Sequence, residues 1–232
     1  MSKIVLFEGI DGSGKTSLIK KLKEKLEAEE HSTSIICGPL NKENVENNIK
    51  IHDESFVGTP ARDKIKKINE ILSFSLDRID QLGAIKQKEG EGSEFILVDR
   101  SFISALAYQF SEQEDDLNNV NRIINLSLLE GFDIKFDLLI LIDTSPSVAA
   151  GRIKNRDGRP GDGCGIYGEV PLKKDKNNAL ESSLESISIN YKRIISELMT
   201  SYPGYFGKYS LINGDSDLEL VLRSAYEAVL RR

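Results

Sequence analysis

The 232-residue chain has no tryptophan, two histidines, two cysteines and six prolines. Each scarcity removes a class of protein. Cys37 and Cys164 lie far apart with no metal-type spacing. They make neither a disulfide scaffold nor a structural zinc site, and they read as reduced thiols of a cytosolic protein. His31 and His52 belong to no His-Glu-x-x-His helix, which leaves out a zinc hydrolase of that kind. No apolar stretch approaches the ~18 residues of a membrane span. The opening run Ile4-Val5-Leu6-Phe7 is too short for a signal-peptide core, so the expected setting is cytoplasmic, without a membrane partner. Positive charge is also short. Lys plus Arg number 31 against 37 Asp plus Glu, a net charge of −6, which argues against broad nucleic-acid binding but not against a small basic pocket.

What is present points to one folded unit. Hydrophobic residues make up 39% and charged residues 29%, an ordinary balance for a chain able to bury a core. No linker divides it, and the expected organisation is a single domain over residues 1–232. Short apolar runs at Ile4–Phe7, Ser34–Cys37, Phe95–Val98, Leu138–Ile142 and Tyr209–Ile212 read as buried parallel strands. Amphipathic stretches at Ser17–Glu29, Ala61–Lys88, Asn178–Met199 and Asp217–Leu230 read as helices between them. This alternation predicts an α/β fold, a three-layer sandwich with a central five-stranded parallel sheet flanked by helices. Gly38–Pro60, Ser111–Asp116 and the glycine-rich Asp157–Pro171 read as loops.

The strongest local signal is Gly9-Ile10-Asp11-Gly12-Ser13-Gly14-Lys15-Thr16. It matches G-x-x-x-x-G-K-[ST] between an expected strand and an expected helix, the setting a phosphate-binding loop requires. Glycines let successive N–H groups converge on one anion, and the helix N-terminus adds its positive dipole end. Gly12, Ser13, Gly14, Lys15, Thr16 and Ser17 are therefore candidate ATP contacts. Lys15 would reach the β- and γ-phosphates and the Thr16 hydroxyl would hold Mg²⁺. The one Asn-Lys pair, Asn41-Lys42, continues Glu43-Asn44, so a guanine-reading Asn-Lys-x-Asp motif is absent. The strand Phe95–Val98 ends in Asp99 and is followed at once by Arg100. A forked cation at the carboxyl end of a parallel strand faces the ligand crevice and suits the phosphate of a second substrate.

These residues resemble the thymidylate kinase family of P-loop nucleoside monophosphate kinases. Four segments carry the resemblance: Phe7–Thr16 with its internal acid, Phe74-Ser75-Leu76-Asp77-Arg78, Asp99–Gln109 with its Asp-Arg-x-x-x-Ser-x-x-Ala-Tyr-Gln pattern, and Asp137–Asp143 followed by Arg152 and Arg156. The resemblance implies phosphoryl transfer from ATP to dTMP with Mg²⁺ as cofactor. It implies that Phe74 stacks on the thymine and that Arg78 donates to its O4. It further implies that Arg100 binds the dTMP phosphate and that Asp99 holds Mg²⁺ through water. Ser104 and Gln109 would line the base pocket, and Tyr108 would pack against the sugar. Asp11 would sit near the acceptor phosphate and the sugar 3′-hydroxyl. A basic lid around residues 145–171 would place Arg152 over the adenine and Arg156 on the transferring phosphates. A homodimer packed through long helices is also implied.

Departures from the family pattern sharpen the expectation. Gly38-Pro39-Leu40-Asn41-Lys42 lacks the usual arginine near the proline, and Lys42 offers only a point charge in its place. Ser101 stands where an aromatic residue or histidine is usual, and Ala105 where a polar residue is common. An acceptor pocket open to dUMP or dGMP as well as dTMP follows. The loop carries Gly12 and Ser13 rather than a basic residue, which makes Lys15, Asp11, Arg100 and Arg156 the expected catalytic set. Glu8 is either a further group near Mg²⁺ or a paired strand-end carboxylate. Two other readings stay open: a deoxynucleoside kinase and a non-catalytic nucleotide-binding module.

Overall fold

A computed structural model describes residues 2–38, 80–109, 135–155, 177–201 and 206–231. The five apolar runs all form strands: β1 (Lys3–Glu8), β2 (Thr33–Cys37), β3 (Phe95–Asp99), β4 (Phe136–Asp143) and β5 (Phe206–Asn213). They make one sheet in the order β2-β3-β1-β4-β5, and every neighbouring pair is parallel. Leu138 to Ile142 of β4 are all buried, as expected of a central strand covered on both faces.

Strand periodicity sorts these side chains into two layers, because successive residues point to opposite faces. Val5, Phe7, Leu97, Leu138, Ile140 and Ile142 face one side. There they pack on α1 (Lys15–Ala28) and α6 (Leu218–Leu230) through Leu18, Leu22, Val221 and Ala225. Ile4, Leu6, Ile96, Val98, Leu139 and Leu141 face the other. Among the described residues they are covered by α2, described over residues 80–90, α3 (Phe102–Gln109) and α5 (Asn177–Ser201), with Ala149 and Ala150 of a further helix joining the same layer. Leu82, Ile85, Ile103, Leu106, Leu184 and Ile194 supply that layer. The three-layer expectation thus follows from alternation along the strands.

Helix α4 (Pro146–Lys154) opens with proline at its first position, where a missing N–H costs nothing. It takes up the start of the expected lid; the remainder of that lid lies outside the described residues. So do Gly-rich Asp157–Pro171 and most of the expected Ala61–Lys88 helix. One expectation is corrected. Cys37 is disulfide-bonded, not a free thiol, and its partner lies outside the described residues. Spacing along the chain could not reveal this, since a disulfide depends on two Cα atoms coming within about 6 Å in space. Among the described residues no helix is long and apolar enough to cross a membrane.

Candidate active site

The site forms where β1 and β3 end. These strands are neighbours in register, Phe7 beside Asp99, yet their following helices lie on opposite faces of the sheet. A crevice opens at the carboxyl ends of strands at such a switch point. From β1 the chain enters the glycine loop. Gly9, Gly12 and Gly14 all have positive φ, at 146°, 79° and 91°. At Gly12 a side chain is also barred by space, because a Cβ there would lie 2.9 Å from the carbonyl carbon of Ala149. Gly14 caps α1, whose first turn carries no acidic residue. That leaves the positive end of its dipole open to an anion.

Lys15 is buried and folds back over the loop. Its Nζ donates to the carbonyls of Gly9 at 2.7 Å and Ile10 at 3.2 Å, with Ser13 Oγ at 3.4 Å. Burial, then the nearby Arg100 charge, lowers its pKa from 10.5 to about 8. The Thr16 hydroxyl donates to Asp99 Oδ2 at 2.9 Å. Asp99 Oδ1 is buried and has no hydrogen-bond partner among the described residues. A buried carboxylate oxygen without a partner is costly, and this one beside a hydroxyl fits a hard cation that takes oxygen ligands.

Arg100 begins the second half of the site. It is buried and adopts φ 70°, uncommon for a residue with a side chain. Its guanidinium is ion-paired with Asp11. Nη1 donates to Ser104 Oγ at 3.2 Å, to the Tyr191 hydroxyl at 3.3 Å and to the Gly9 carbonyl at 3.5 Å. Lys15 and Arg100 therefore meet on one carbonyl oxygen. The Asp11 N–H donates to the Tyr108 hydroxyl at 2.9 Å, and the Arg100 guanidinium carbon lies 5.6 Å from the Tyr108 ring centre. Burial raises the Tyr108 pKa, against the opposing Arg100 charge. The phenol therefore stays neutral and able to accept.

Glu8 resolves toward a paired carboxylate. Oε1 accepts from the Ser101 N–H at 2.8 Å and the Ser101 hydroxyl at 2.7 Å, and Oε2 from the Ser104 hydroxyl at 2.6 Å. Burial raises its pKa against those hydrogen bonds. Ser101, a departure from the family pattern, thus has a definite task in holding the end of β1 to the start of α3. Ser104, expected to line the base pocket, joins Glu8 to Arg100. Its hydroxyl also lies 2.7 Å from that of Tyr191.

Arg152 on α4 reaches the same loop. Its Nη1 donates to the carbonyls of Ser13 at 3.3 Å and Gly12 at 3.5 Å, and Nη2 to that of Gly214 at 2.9 Å. Gly12, Ser13, Gly14, Lys15, Thr16, Asp11, Asp99, Arg100, Ser104, Tyr108 and Arg152 are thus brought together around one crevice. Ser17 lies in the first turn of α1, and Gln109 ends α3. Phe74, Arg78 and Arg156 lie outside the described residues, as does the Gln109 side chain.

Tyr191 is the residue that sequence reasoning missed. It lies in the apolar stripe of α5 among Ile187, Ile194 and Ile195, where periodicity reads a tyrosine as core. Its ring meets that of Tyr108 edge-on at 6.4 Å. A hydroxyl on an otherwise apolar helix face was the only signal, since a buried Tyr O–H normally finds a partner.

A glycine loop after a central strand, a lysine on its carbonyls and an arginine just after the adjoining strand define a P-loop nucleotide kinase. Comparison with known proteins narrows the class. The family model for thymidylate kinase matches residues 7–160. A thymidylate kinase of Chlorobium limicola is 26% identical over 223 residues, covering 88% of this chain and 98% of its own length. A probable thymidylate kinase 1 of Saccharolobus solfataricus is 31% identical over 158 residues, 67% of this chain and 72% of its own. A thymidylate kinase of Leptospira borgpetersenii is 29% identical over 224 residues, 95% and 93% of the two chains. The chain belongs to the thymidylate kinase family.

Proposed function

We infer that this chain is an ATP-dependent thymidylate kinase, transferring the terminal phosphoryl group of ATP to the phosphate of dTMP to give dTDP and ADP. The observation that carries the reading is the meeting of Lys15 Nζ and Arg100 Nη1 on the Gly9 carbonyl. Two cations, one opening α1 and one just after β3, can there hold a donor and an acceptor phosphate against each other. An oxygen of the acceptor phosphate attacks the γ-phosphorus as the bond to the leaving ADP oxygen breaks. That acceptor is already an anion, so no strong general base is required, and catalysis is positioning plus charge neutralisation.

The roles divide along the crevice. The loop N–H groups of Gly12 to Ser17 and Lys15 hold the ATP phosphates, and Arg152 holds the nucleotide side of the loop. Arg100 takes the acceptor phosphate, released from Asp11 as that carboxylate turns to the sugar 3′-hydroxyl. Tyr108 packs on the deoxyribose. Thr16 and Asp99 would hold Mg²⁺, whose chemistry is to neutralise charge on the phosphates; the lone Asp99 Oδ1 supports this. Phe74 stacks on the base, Arg78 and Gln109 read its edge, and Arg156 brings its charge to the transferring phosphoryl from the lid. The loop lacks a basic residue at Gly12 and Ser13, which supports giving that task to the lid. Dependence on ATP supports a cytoplasmic setting, although a disulfide such as that at Cys37 is uncommon there. The absence of the loop arginine after Pro39 supports an acceptor range that extends to dUMP or dGMP, and apolar helical stripes support a homodimer.

The test is ADP release with Mg²⁺ against dTMP, dUMP, dCMP, dGMP and thymidine, beside a Lys15→Ala control. Turnover is expected with dTMP, weaker with the other monophosphates and none with thymidine. Lys15→Ala should lower kcat by roughly 10²–10³-fold, the scale of losing one preorganised charge. Turnover on thymidine without dTMP would overturn the assignment.

A further inference from the structure

The arginine assigned to the acceptor phosphate stands in an unusual backbone conformation, and one side chain outside the motifs holds it there. Gln81, on α2, is 2% exposed, and its Nε2 donates to the Arg100 carbonyl at 2.8 Å. Only the amide nitrogen can face a carbonyl, so the orientation of Gln81 is determined. On the other side of the same residue, the Arg100 N–H donates to the Phe7 carbonyl at 3.0 Å. Arg100 is thus pinned through both of its backbone polar groups, one by β1 and one by α2, at φ 70°. That left-handed turn swings the guanidinium off the line of β3 and onto Asp11, Ser104, Tyr191 and the Gly9 carbonyl. Non-glycine residues leave such a conformation unless their surroundings hold them in it.

The space for this contact is also built in. Gly38 follows β2, its N–H donating to the Asp99 carbonyl at 3.0 Å. A Cβ at Gly38 would lie 2.8 Å from Gln81 Nε2, so a side chain there would push the amide off its acceptor. The last residue of β3, the glycine after β2 and the glutamine of α2 form one clasp around the Arg100 peptide.

We propose that Gln81 is a positioning residue for the acceptor phosphate: its amide locks the Arg100 backbone in the left-handed turn that aims the guanidinium at the crevice. The proposal rests on the reading of Arg100 as the acceptor-phosphate group. Gln81 touches no substrate; its effect runs through the fraction of molecules in which Arg100 is aimed. Losing the donor leaves a buried carbonyl without its partner and lets Arg100 relax to ordinary dihedrals.

The experiment compares wild type, Gln81→Met, Gln81→His and Arg100→Lys as full-length chains, reading KM for dTMP, KM for MgATP, kcat and melting temperature. Methionine keeps the volume without a donor, and the histidine Nε2–H reaches about as far as the glutamine amide. Gln81→Met is expected to raise KM for dTMP about 10-fold while KM for MgATP stays within about twofold. Gln81→His should fall closer to wild type than Gln81→Met does. A fall in melting temperature or kcat with KM for dTMP unchanged in both variants would overturn the proposal and leave Gln81 a packing residue. Equal KM rises in Gln81→Met and Gln81→His, with melting as in wild type, would also overturn it. Arg100→Lys separates the two layers: a raised dTMP KM there with none in the Gln81 variants removes Gln81 alone. An unchanged KM in Arg100→Lys removes the acceptor-phosphate reading together with the proposal built on it.

Discussion

Three hydrogen bonds converge on one carboxylate at the floor of the site. Glu8 is enclosed beneath the crevice and accepts from both donors of Ser101 and from Ser104, while burial raises its pKa from 4.5. A carboxyl whose folded pKa is raised holds a proton that the unfolded chain has already released. Its contribution therefore favours the folded state at and below pH about 4.5 and is lost as pH rises through the folded value. Glu8→Gln removes that titration while keeping an acceptor for Ser101. Denaturant midpoints measured from pH 4.5 to 8 should show wild type losing stability relative to Glu8→Gln as pH rises. A constant difference between the two across that range would mean that Glu8 titrates normally. At the same scale Ser101 and Tyr191 were beyond reach of sequence reading. One looked like a departure from a pattern and the other like core, and their tasks exist only because β1, α3 and α5 meet.

Elements matter here chiefly through their ends. The glycine loop is legible in sequence because its spacing is dictated by the anion that it must wrap. Its clearance is not legible, since it depends on which backbone passes nearby. At Gly12 that backbone is α4, with the Ala149 carbonyl carbon 2.9 Å from where a Cβ would sit, and φ is 79°. Gly12→Ala must therefore both strain the loop and push α4 and its Arg152 away. The expected cost is about 1–3 kcal/mol in stability, with a rise in KM for MgATP of at least roughly 10-fold from the displaced N–H groups. Thermal melting and initial rates check both. Normal melting with normal MgATP kinetics would mean that the loop and α4 are not in contact in solution. Helix α1 meets the opposite requirement. Leu18, Ile19, Leu22 and Leu26 bury one stripe, which anchors the helix so that its N-terminus stays aimed at the crevice.

At the scale of the whole molecule, the described residues cover the sheet on both faces with helices of the same chain. The homodimer is proposed from the family resemblance, with the apolar stripes in Ala61–Lys88 and Asn118–Leu129 as the surface offered to a second copy. Sedimentation at micromolar concentration should give twice the chain mass of 25.9 kDa. A single monomer species over that range would remove the dimer.

The sequence by itself determined the strands, the helices between them and the phosphate loop. These depend on local pattern and spacing: short apolar runs for strands covered on both faces, a fixed run of glycines for an anion. Only the tertiary structure decided which distant residues share the crevice. Arg100 and Tyr191 are 91 positions apart, yet their side chains lie 3.3 Å apart. Gln81 and Arg100 are 19 apart and joined at 2.8 Å. The disulfide of Cys37 belongs with them. Such contacts depend on where crossovers return the chain, and no local pattern records that; a buried polar group takes whatever partner the packing brings within reach.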